Sequence, residues 1–422
     1  MLRLTFARAH VRGARVTLLA LLAIVGPGLV SGFADNDAGG ITTYSLAGAQ
    51  YGYALLWVLV VSQLALMVTQ EAGARLGLAT GHGLSGLIRE QFGVRWATFA
   101  AVTMLVANLG DTVAEFAGIG AALALFGVPV PVSALAAAVA MVGLLTRGSF
   151  RRIQAMFIVS GIAISVAYAV SAALAHPDWG LAIRATVAPT LDFGAPGYLL
   201  TVVGVVGTTI TPWGQSFIQS YVVDKGLGPK HLLGSRIDVT VGALLTNIVA
   251  GFIVVACAAT LFAGHVVISD AADAARALGP LAGDAARVLF ALGLLAASLL
   301  GLGTVPLTSA YATCEMFGWE AGLDRRWADA PVFYGLLAFF VGFAGLFLLI
   351  PGLPLIQVMF LSQVLDGVLL GPVLVFVMLL ASDARLMGEL RSGRIAQALG
   401  WIVTAAVGLM SVALVAVAVT SA

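Results

Sequence analysis

The sequence predicts an all-α polytopic membrane protein with eleven transmembrane helices, and three features of the chain lead to this fold class. Hydrophobic residues make up 60% of the 422 residues, charged residues only 10%, and glycine is abundant at 50 residues, a composition far outside the soluble range. Apolar segments long enough to cross a ~30 Å hydrocarbon core recur along the whole chain. Two of these segments are interrupted by polar residues, glycine or proline.

Composition also limits the partners that the protein can have. The net charge of +1 indicates no nucleic-acid partner. The two cysteines, Cys257 and Cys314, lie at or in apolar runs, which predicts neither a disulfide framework nor a thiolate metal site. We therefore expect a protein surrounded by the lipid bilayer, with no cofactor and no obligate protein partner.

The apolar segments cover almost the whole chain. In order they are 16–47 (interrupted), 53–70, 97–126, 130–146, 153–174, 196–222 (interrupted), 239–263, 286–313, 332–350, 354–380 and 397–420. No loop between them is long enough for a separate soluble domain. Residues 1–422 are therefore predicted to form a single membrane domain.

Basic residues fall on one side of this arrangement. With the N-terminus inside, only Arg184, Arg276 and Arg287 of the 21 lysines and arginines are placed outside. Basic loops stay in the cytoplasm, and one missed span would reverse every later loop, so the split supports both the orientation and the helix count. We expect an integral protein of a prokaryotic plasma membrane with a cytoplasmic N-terminus and an external C-terminus.

The first predicted helix is interrupted at residues 32–40, whose sequence is GFADNDAGG. Two carboxylates and a glycine pair, with Gly39 as a helix-breaking residue, are thereby placed at roughly membrane depth. An uncompensated charge there costs ~2.5–3.5 kcal/mol on insertion scales, and unpaired backbone groups add to this cost. We predict that Asp37 and the freed carbonyls face a cavity in which a cation replaces water, and that the protein transports this cation.

The second interrupted helix begins five spans after the first. Its sequence over 204–214 is GVVGTTITPWG. Pro212 removes a backbone donor and clashes with the preceding turn, while the flanking glycines loosen the helix, so we expect a break there.

Two breaks in corresponding positions predict an inverted five-plus-five repeat of the LeuT/APC type, with a binding site near the midplane between the repeats. The repeats would be residues 16–174 and 196–380, followed by an extra helix at 397–420. Each break taken singly has an alternative interpretation, because a kink satisfied by neighbouring helices is common in membranes. The pair of breaks, with Asp37 in one of them, favours a functional site.

Several stretches carry a family likeness: GPG at 26–28, DAGG at 37–40, YGYALLW at 51–57 and ARLGLATG at 74–81. The likeness continues through Glu115, the broken sixth span and the tenth span. With these residues the chain resembles an Nramp-type divalent metal transporter and is similar to the Nramp-related magnesium transporter branch. The resemblance implies a secondary transporter that moves a divalent cation by alternating access.

The resemblance also indicates a metal site. Family members carry Asp-Pro-Gly-Asn in helix 1, which places the metal-binding aspartate at Asp37 and the asparagine at Gly40, a residue without a side chain. The Met-Pro-His motif of helix 6 places methionine at Thr211 before Pro212, and a metal-binding carbonyl at Thr208. The soft thioether is thus missing. The remaining oxygen donors suit a hard ion such as Mg²⁺ or Mn²⁺, which keeps several waters.

The family associates a helix 3 aspartate, a glutamate one turn later and a helix 6 histidine with proton movement. Here the glutamate is Glu115, the aspartate position is Thr112 with Asp111 beside it, and the histidine position is Trp213. Asp111 and Glu115 share a helix face, where they either share a proton or bind a cation, or form a satisfied polar stripe. The missing histidine favours uncoupled, potential-driven uptake over proton symport.

Two further polar groups have open interpretations. Gln363 and Asp366 in helix 10 either complete the ion path or serve helix packing, because the family places its glutamine later, at Leu369. Glu71 and Arg75 close helix 2. We expect a plain surface pair, worth roughly a few tenths of a kcal/mol, rather than an inner gate.

Other function classes have less support. A sodium- or proton-coupled symporter for amino acids or other small solutes would share the architecture, but Asp37 would repel a substrate carboxylate unless it paired with the amine. An enzyme is not expected, because no Ser/His, Gly-X-Gly-Asp or His-Glu-X-X-His motif occurs. A purely structural role leaves the insertion cost of Asp37 unexplained.

Overall fold

The computed structural model describes residues 31–32, 35–146, 162–163, 165–192, 194–322 and 325–421. All regular secondary structure in these residues is helical, with no strand, and turns and loops connect the helices. The principal helices are α1 (Ala38–Tyr51), α2 (Leu56–Thr80), α3 (Leu84–Phe92), α4 (Val94–Ala124), α5 (Val130–Thr146), α6 (Ser165–Leu174), α7 (Trp179–Val187), α8 (Tyr198–Thr209), α9 (Pro212–Asp224), α10 (Leu232–Cys257), α11 (Ala286–Phe317), α12 (Pro331–Phe347), α13 (Leu355–Ser382) and α14 (Arg394–Ser421).

The all-α membrane architecture is confirmed. In the described part of the chain, six helices are long and apolar enough to cross a membrane. They are Leu56–Thr80, Val94–Ala124, Pro229–Phe262, Ala271–Phe317, Leu355–Ser382 and Arg394–Thr420. Residues 16–30 of the first predicted span and 153–161 of the fifth lie outside the described residues. The division into two repeats and an extra helix stays a prediction.

One helix extends well beyond its predicted span. Helix α2 continues from the predicted end at residue 70 to Thr80. The polar residues Glu71 and Arg75 do not end it, because they pair along the helix four residues apart. It ends at Gly81, whose left-handed φ of 67° only glycine adopts readily.

The core is formed by helices that approach closely through small residues. Helix α4 packs against α11 and α13, and α8 packs against α13. A Cβ at Gly207 on α8 would overlap the backbone of Gln363 and Gly367 on α13, and a Cβ at Gly367 would overlap Val203. Small residues let membrane helices approach in this way. The contact places the end of α8 beside Gln363.

Segments that were predicted to lie on the same side of the membrane contact each other in the structure. At one end of the bundle, Arg75 donates to the carbonyl of Leu390 at 2.9 Å, and Arg89 donates to that of Met316 at 2.8 Å. We call this end the basic face. At the other end, Tyr51 donates to the carbonyl of Pro196 at 2.8 Å.

The prediction that Glu71 and Arg75 form a surface pair is wrong in one respect. The two side chains do pair, but Arg75 is only 4% exposed. Glu71 also accepts from Arg236 on α10 at 2.7 Å. The pair is therefore part of a partly buried network that joins helices α2 and α10, and the energy of an exposed pair does not apply to it.

Candidate metal site

The first helix is interrupted at the predicted place. Ser31 and Gly32 are helical, residues 35–37 are not, and α1 begins at Ala38. Asp37 is the N-cap residue of α1, and its Oδ1 accepts from the backbone N–H of Gly40 at 2.7 Å. Gly39 is already inside α1, so the prediction that it breaks the helix is wrong. It is small because a Cβ there would overlap the Gln363 side chain.

The sixth helix breaks one residue before the predicted proline. Helix α8 ends at Thr209, and Ile210 and Thr211 are non-helical. Thr211 caps α9 by accepting from the N–H of Gly214 at 3.1 Å. Pro212 is the first residue of α9, a position where the missing N–H costs nothing and the fixed φ suits a helix. The residue before a proline avoids the helical region, which places the break at Thr211.

The two breaks meet at Gly40. A Cβ on Gly40 would lie 2.7 Å from the carbonyl oxygen of Asp35, 3.1 Å from Thr208 Oγ1 and 3.4 Å from Asp37 Oδ1. Thr208 Oγ1 is buried, with no hydrogen-bond partner among the described residues. Three oxygen atoms therefore surround a position where the chain has no side chain.

Thr211 is the last of the four residues predicted for the metal site. It lies beside a carboxylate to which the sequence analysis assigned no role. Its Oγ1 donates to Asp35 Oδ1 at 3.5 Å. Asp35 is 1% exposed, and its Oδ2 has no partner in the part of the chain that the structure describes. The available signal was the position of Asp35 in the same interrupted stretch as Asp37.

The predicted pathway residues are all buried next to this site. The Glu115 carboxyl lies next to that of Asp37. Gln363 Nε2 lies beneath Gly39 and donates to Asp111 Oδ1 at 3.0 Å. The Asp366 carboxyl lies next to that of Asp111. Two pairs of facing carboxyl groups thus extend from Asp37 toward α4 and α13.

In the part of the chain that the structure describes, no basic side chain offsets these acids. Among the described residues, Arg75 is the only buried lysine, arginine or histidine, and it lies at the basic face. The buried acidic side chains of the core are Asp35, Asp37, Asp111, Glu115 and Asp366. Buried carboxylates without a counter-charge are costly unless they take up protons or cations, so this region attracts cations.

Few of the side chains that commonly bind metal ions lie close together at this site. Across the described ranges, no three His, Cys, Asp or Glu side chains converge as a group that could hold a metal ion. A cation here would be held by one or two carboxylates, carbonyls, hydroxyls and water. The thioether of Met359 on α13 is close to α1, but its sulfur accepts from Thr42 Oγ1 at 3.5 Å.

Comparison with known proteins identifies the family. Residues 28–417 match the family described as natural resistance-associated macrophage protein-like, abbreviated Nramp. The chain belongs to the Nramp family. Members of this family are transporters and not enzymes. A divalent metal cation transporter MntH of Ralstonia nicotianae is 32% identical over 419 residues, which cover 94% of this chain and 91% of the relative.

Solved structures share the fold of this Nramp chain. A manganese transporter of Eremococcus coleocola, in complex with an aromatic bis-isothiourea compound, superimposes with a TM-score of 0.75 at 20% identity, covering 96% of this chain and 88% of the other. A nucleobase-cation-symport-1 family transporter in a closed conformation gives a TM-score of 0.58 at 14% identity, covering 94% and 93%. Both likenesses concern the fold alone.

This Nramp chain departs from the expected motif at Trp213. The side chain is fully buried and packs edge-on against Phe217, with ring centroids 5.8 Å apart. An indole cannot take up a proton as an imidazole does, so α9 offers no base at this point.

Proposed function

We propose that this protein is a secondary transporter that moves a hard divalent cation, Mg²⁺ or Mn²⁺, by alternating access. The cation would bind between the two helix breaks, at Asp37, Thr208, Thr211 and the space beside Gly40. The observation that carries the proposal is the convergence of oxygen atoms on Gly40. The relatives' names as divalent metal cation transporters support it.

The choice of a hard ion follows from the donor types. Carboxylate, carbonyl and hydroxyl oxygens suit Mg²⁺ and Mn²⁺, whereas thioethers favour softer metals. Mg²⁺ in particular keeps several waters and is bound through one or two carboxylates. The missing side chain at Gly40 lets the Asp35 carbonyl, Thr208 Oγ1 and Asp37 Oδ1 lie close together, as ligands of one cation must.

We further infer that uptake depends little on protons. Helix α9 has no histidine, and Trp213 takes its place. The membrane potential supplies about 2.3 kcal/mol per charge for every 100 mV, which is enough to drive a divalent cation inward. We place the basic face in the cytoplasm, because basic loops are retained there.

The deciding experiment is uptake of Mg²⁺, Mn²⁺ and Ca²⁺ into proteoliposomes that contain a pH-sensitive dye. We expect the parent to take up Mg²⁺ or Mn²⁺ without acidification of the lumen. Asp37→Asn should abolish uptake, because the site loses its charged ligand. Asp329→Asn, at an exposed carboxylate in a loop, is the matched control and should transport normally.

Other outcomes would contradict parts of the proposal. Strictly proton-linked entry would contradict uncoupled uptake and would favour a proton relay through the carboxyl pairs of α4 and α13. Absence of any divalent uptake would favour the symporter of amino acids or other small solutes, in which Asp37→Asn should remove recognition of the substrate amine.

A further inference from the structure

Helix α9 carries a polar face that the candidate metal site does not use. Gln215, Ser216, Gln219 and Ser220 lie within an arc of about 140° on a helix that turns ~100° per residue. The first three of these residues are fully buried. Because α9 packs against α2, α4 and α11, part of its surface is enclosed by protein at membrane depth.

Several polar atoms on this face have no hydrogen-bond partner among the described residues. They are both side-chain polar atoms of Gln215, Ser216 Oγ and Gln219 Oε1. Buried polar groups in proteins are almost always paired with protein or water, and a series of unpaired ones indicates contact with water or an ion. The polar face is therefore suited to line a hydrated passage.

The polar face runs from the candidate metal site to the basic face. Thr211 at its start contacts Asp35. At its end, Gln219 Nε2 donates to the carbonyl oxygen of His82 at 2.8 Å, and Ser220 Oγ donates to Glu315 Oε1 at 3.1 Å. From Thr211 to Ser220 the helix rises about 14 Å. The face thus joins the two regions by a direct route.

Glu315 has the properties of a cation ligand at the end of this route. Its Oε2 is buried with no partner in the described part of the chain, and Glu315 forms no ion pair with a described arginine or lysine. The turn between α2 and α3 encloses it, because a Cβ at Gly83 would overlap the Glu315 carboxylate. One carboxylate oxygen is therefore available to a cation.

We propose that the polar face of α9 is the passage between the candidate metal site and the basic face, and that Glu315 is a second cation-binding site at its exit. In this structure the passage is closed, since the contacts of Gln219 with His82 and of Ser220 with Glu315 hold α9 against its neighbours. Opening breaks both contacts and frees the Glu315 carboxylate oxygen and the His82 carbonyl oxygen, which suit a hard divalent cation. The inference rests on the proposed function.

The first test measures transport from each face separately, with Mn²⁺ as the probe in proteoliposomes of known protein orientation. For Glu315→Gln, we expect KM for Mn²⁺ offered at the basic face to rise on the order of tenfold, because a charged ligand is lost. KM from the opposite face should stay close to that of the parent. Glu389→Gln, at an exposed carboxylate near the basic face, should change neither value. An equal change of both KM values in Glu315→Gln, or none, would overturn the exit site.

The second test does not depend on transport. In a background with Cys257→Ala and Cys314→Ala, Ser216→Cys is treated with a membrane-impermeant thiol reagent from each face. We expect reaction from the basic face, and none for Ile218→Cys, which lies outside the arc of the polar face and packs against Gly73 on α2. Reaction only from the opposite face would overturn the passage.

The two proposals fail in distinguishable ways. If the parent transports Mn²⁺ but neither Ser216→Cys nor Gln215→Cys reacts from the basic face, the passage is wrong and the proposed function stands. If both react as expected and the parent moves no divalent cation, the passage is supported and the proposed cargo is wrong.

Discussion

At the scale of single residues, the candidate site depends on oxygen atoms that lack protein donors. Asp37 Oδ1 is held by the N–H of Gly40, whereas Asp35 Oδ2 and Thr208 Oγ1 have no partner among the described residues. In the proposed function, a divalent cation with its waters is the partner of these atoms. Because Gly40 has no side chain, the Asp35 carbonyl, Thr208 and Asp37 lie close together around it.

Replacement of Gly40 should therefore be severe. In Gly40→Ala, the new methyl group would press on the Asp35 carbonyl and on Thr208, and overpacking of this kind costs ~1–3 kcal/mol. We expect cation uptake to fall below one tenth of the parent's, a loss of about 1.4 kcal/mol or more. Uptake assays and the melting temperature in detergent measure the two effects.

The control is Gly251→Ala on α10, where no atom lies within 4 Å of the added Cβ. This change should leave uptake unchanged and should not lower the melting temperature, because alanine favours a helix over glycine. Normal uptake by Gly40→Ala would contradict a cation position beside this residue.

At the scale of helices, each break joins the C-terminal end of one half-helix to the N-terminal end of the next. The C-terminal end of α8 carries partial negative charge, which favours a cation. The carbonyls of Ser31 and Gly32, in contrast, already accept hydrogen bonds from within the protein. The N-terminal ends of α1 and α9 would repel a cation. Asp37 and Thr211 accept hydrogen bonds from those ends and reduce the repulsion.

The cap at Thr211 provides a test at this scale. Thr211→Ala removes the acceptor for the Gly214 N–H and the donor to Asp35, so we expect a stability loss of about 1 kcal/mol and impaired uptake. Thr211→Ser keeps the hydroxyl and should retain most of both. Thermal unfolding and uptake are compared for the two variants. If serine behaves like alanine, the methyl group and not the hydroxyl matters.

At the scale of the whole molecule, the basic face joins distant segments through one carboxylate. Glu71 accepts from Arg75 on its own helix and from Arg236 on α10. Arg75 also donates to Leu390, just before α14. Arg75 is 4% exposed and Arg236 is 49% exposed, so the two arginines differ in what their removal costs.

We expect Arg75→Ala to destabilise the protein by ~3 kcal/mol, because it removes the buried partner of Glu71 and leaves the carbonyl of Leu390 without a donor, while Glu71 keeps only the half-exposed Arg236. Arg236→Ala should cost less than about 1 kcal/mol, as exposed ion pairs contribute little. Thermal unfolding of both variants in the same detergent measures the difference. Equal losses of stability in the two variants would mean that the burial of an arginine does not determine how much its ion pair stabilises the protein.

Sequence reasoning located much of the site and missed particular partners. The breaks near Asp37 and Pro212 were predictable, because charge, glycine and proline within an apolar run are local signals. Gly39 was assigned to the break, although it is small because Gln363 packs on it. Neither Asp35 nor Glu315 belongs to a sequence motif, and only their surroundings in the structure identify them as candidate cation ligands.

The sequence by itself determined the membrane fold and the position of its two breaks. The bilayer imposes span length and charge distribution on each segment separately, so both can be read along the chain. Only the tertiary structure decided which atoms meet. Gln363 and Asp111 are 252 residues apart, and Thr211 and Asp35 are 176 apart, yet each pair is in contact. Such contacts depend on how closely glycine-lined helices approach, which no local pattern records.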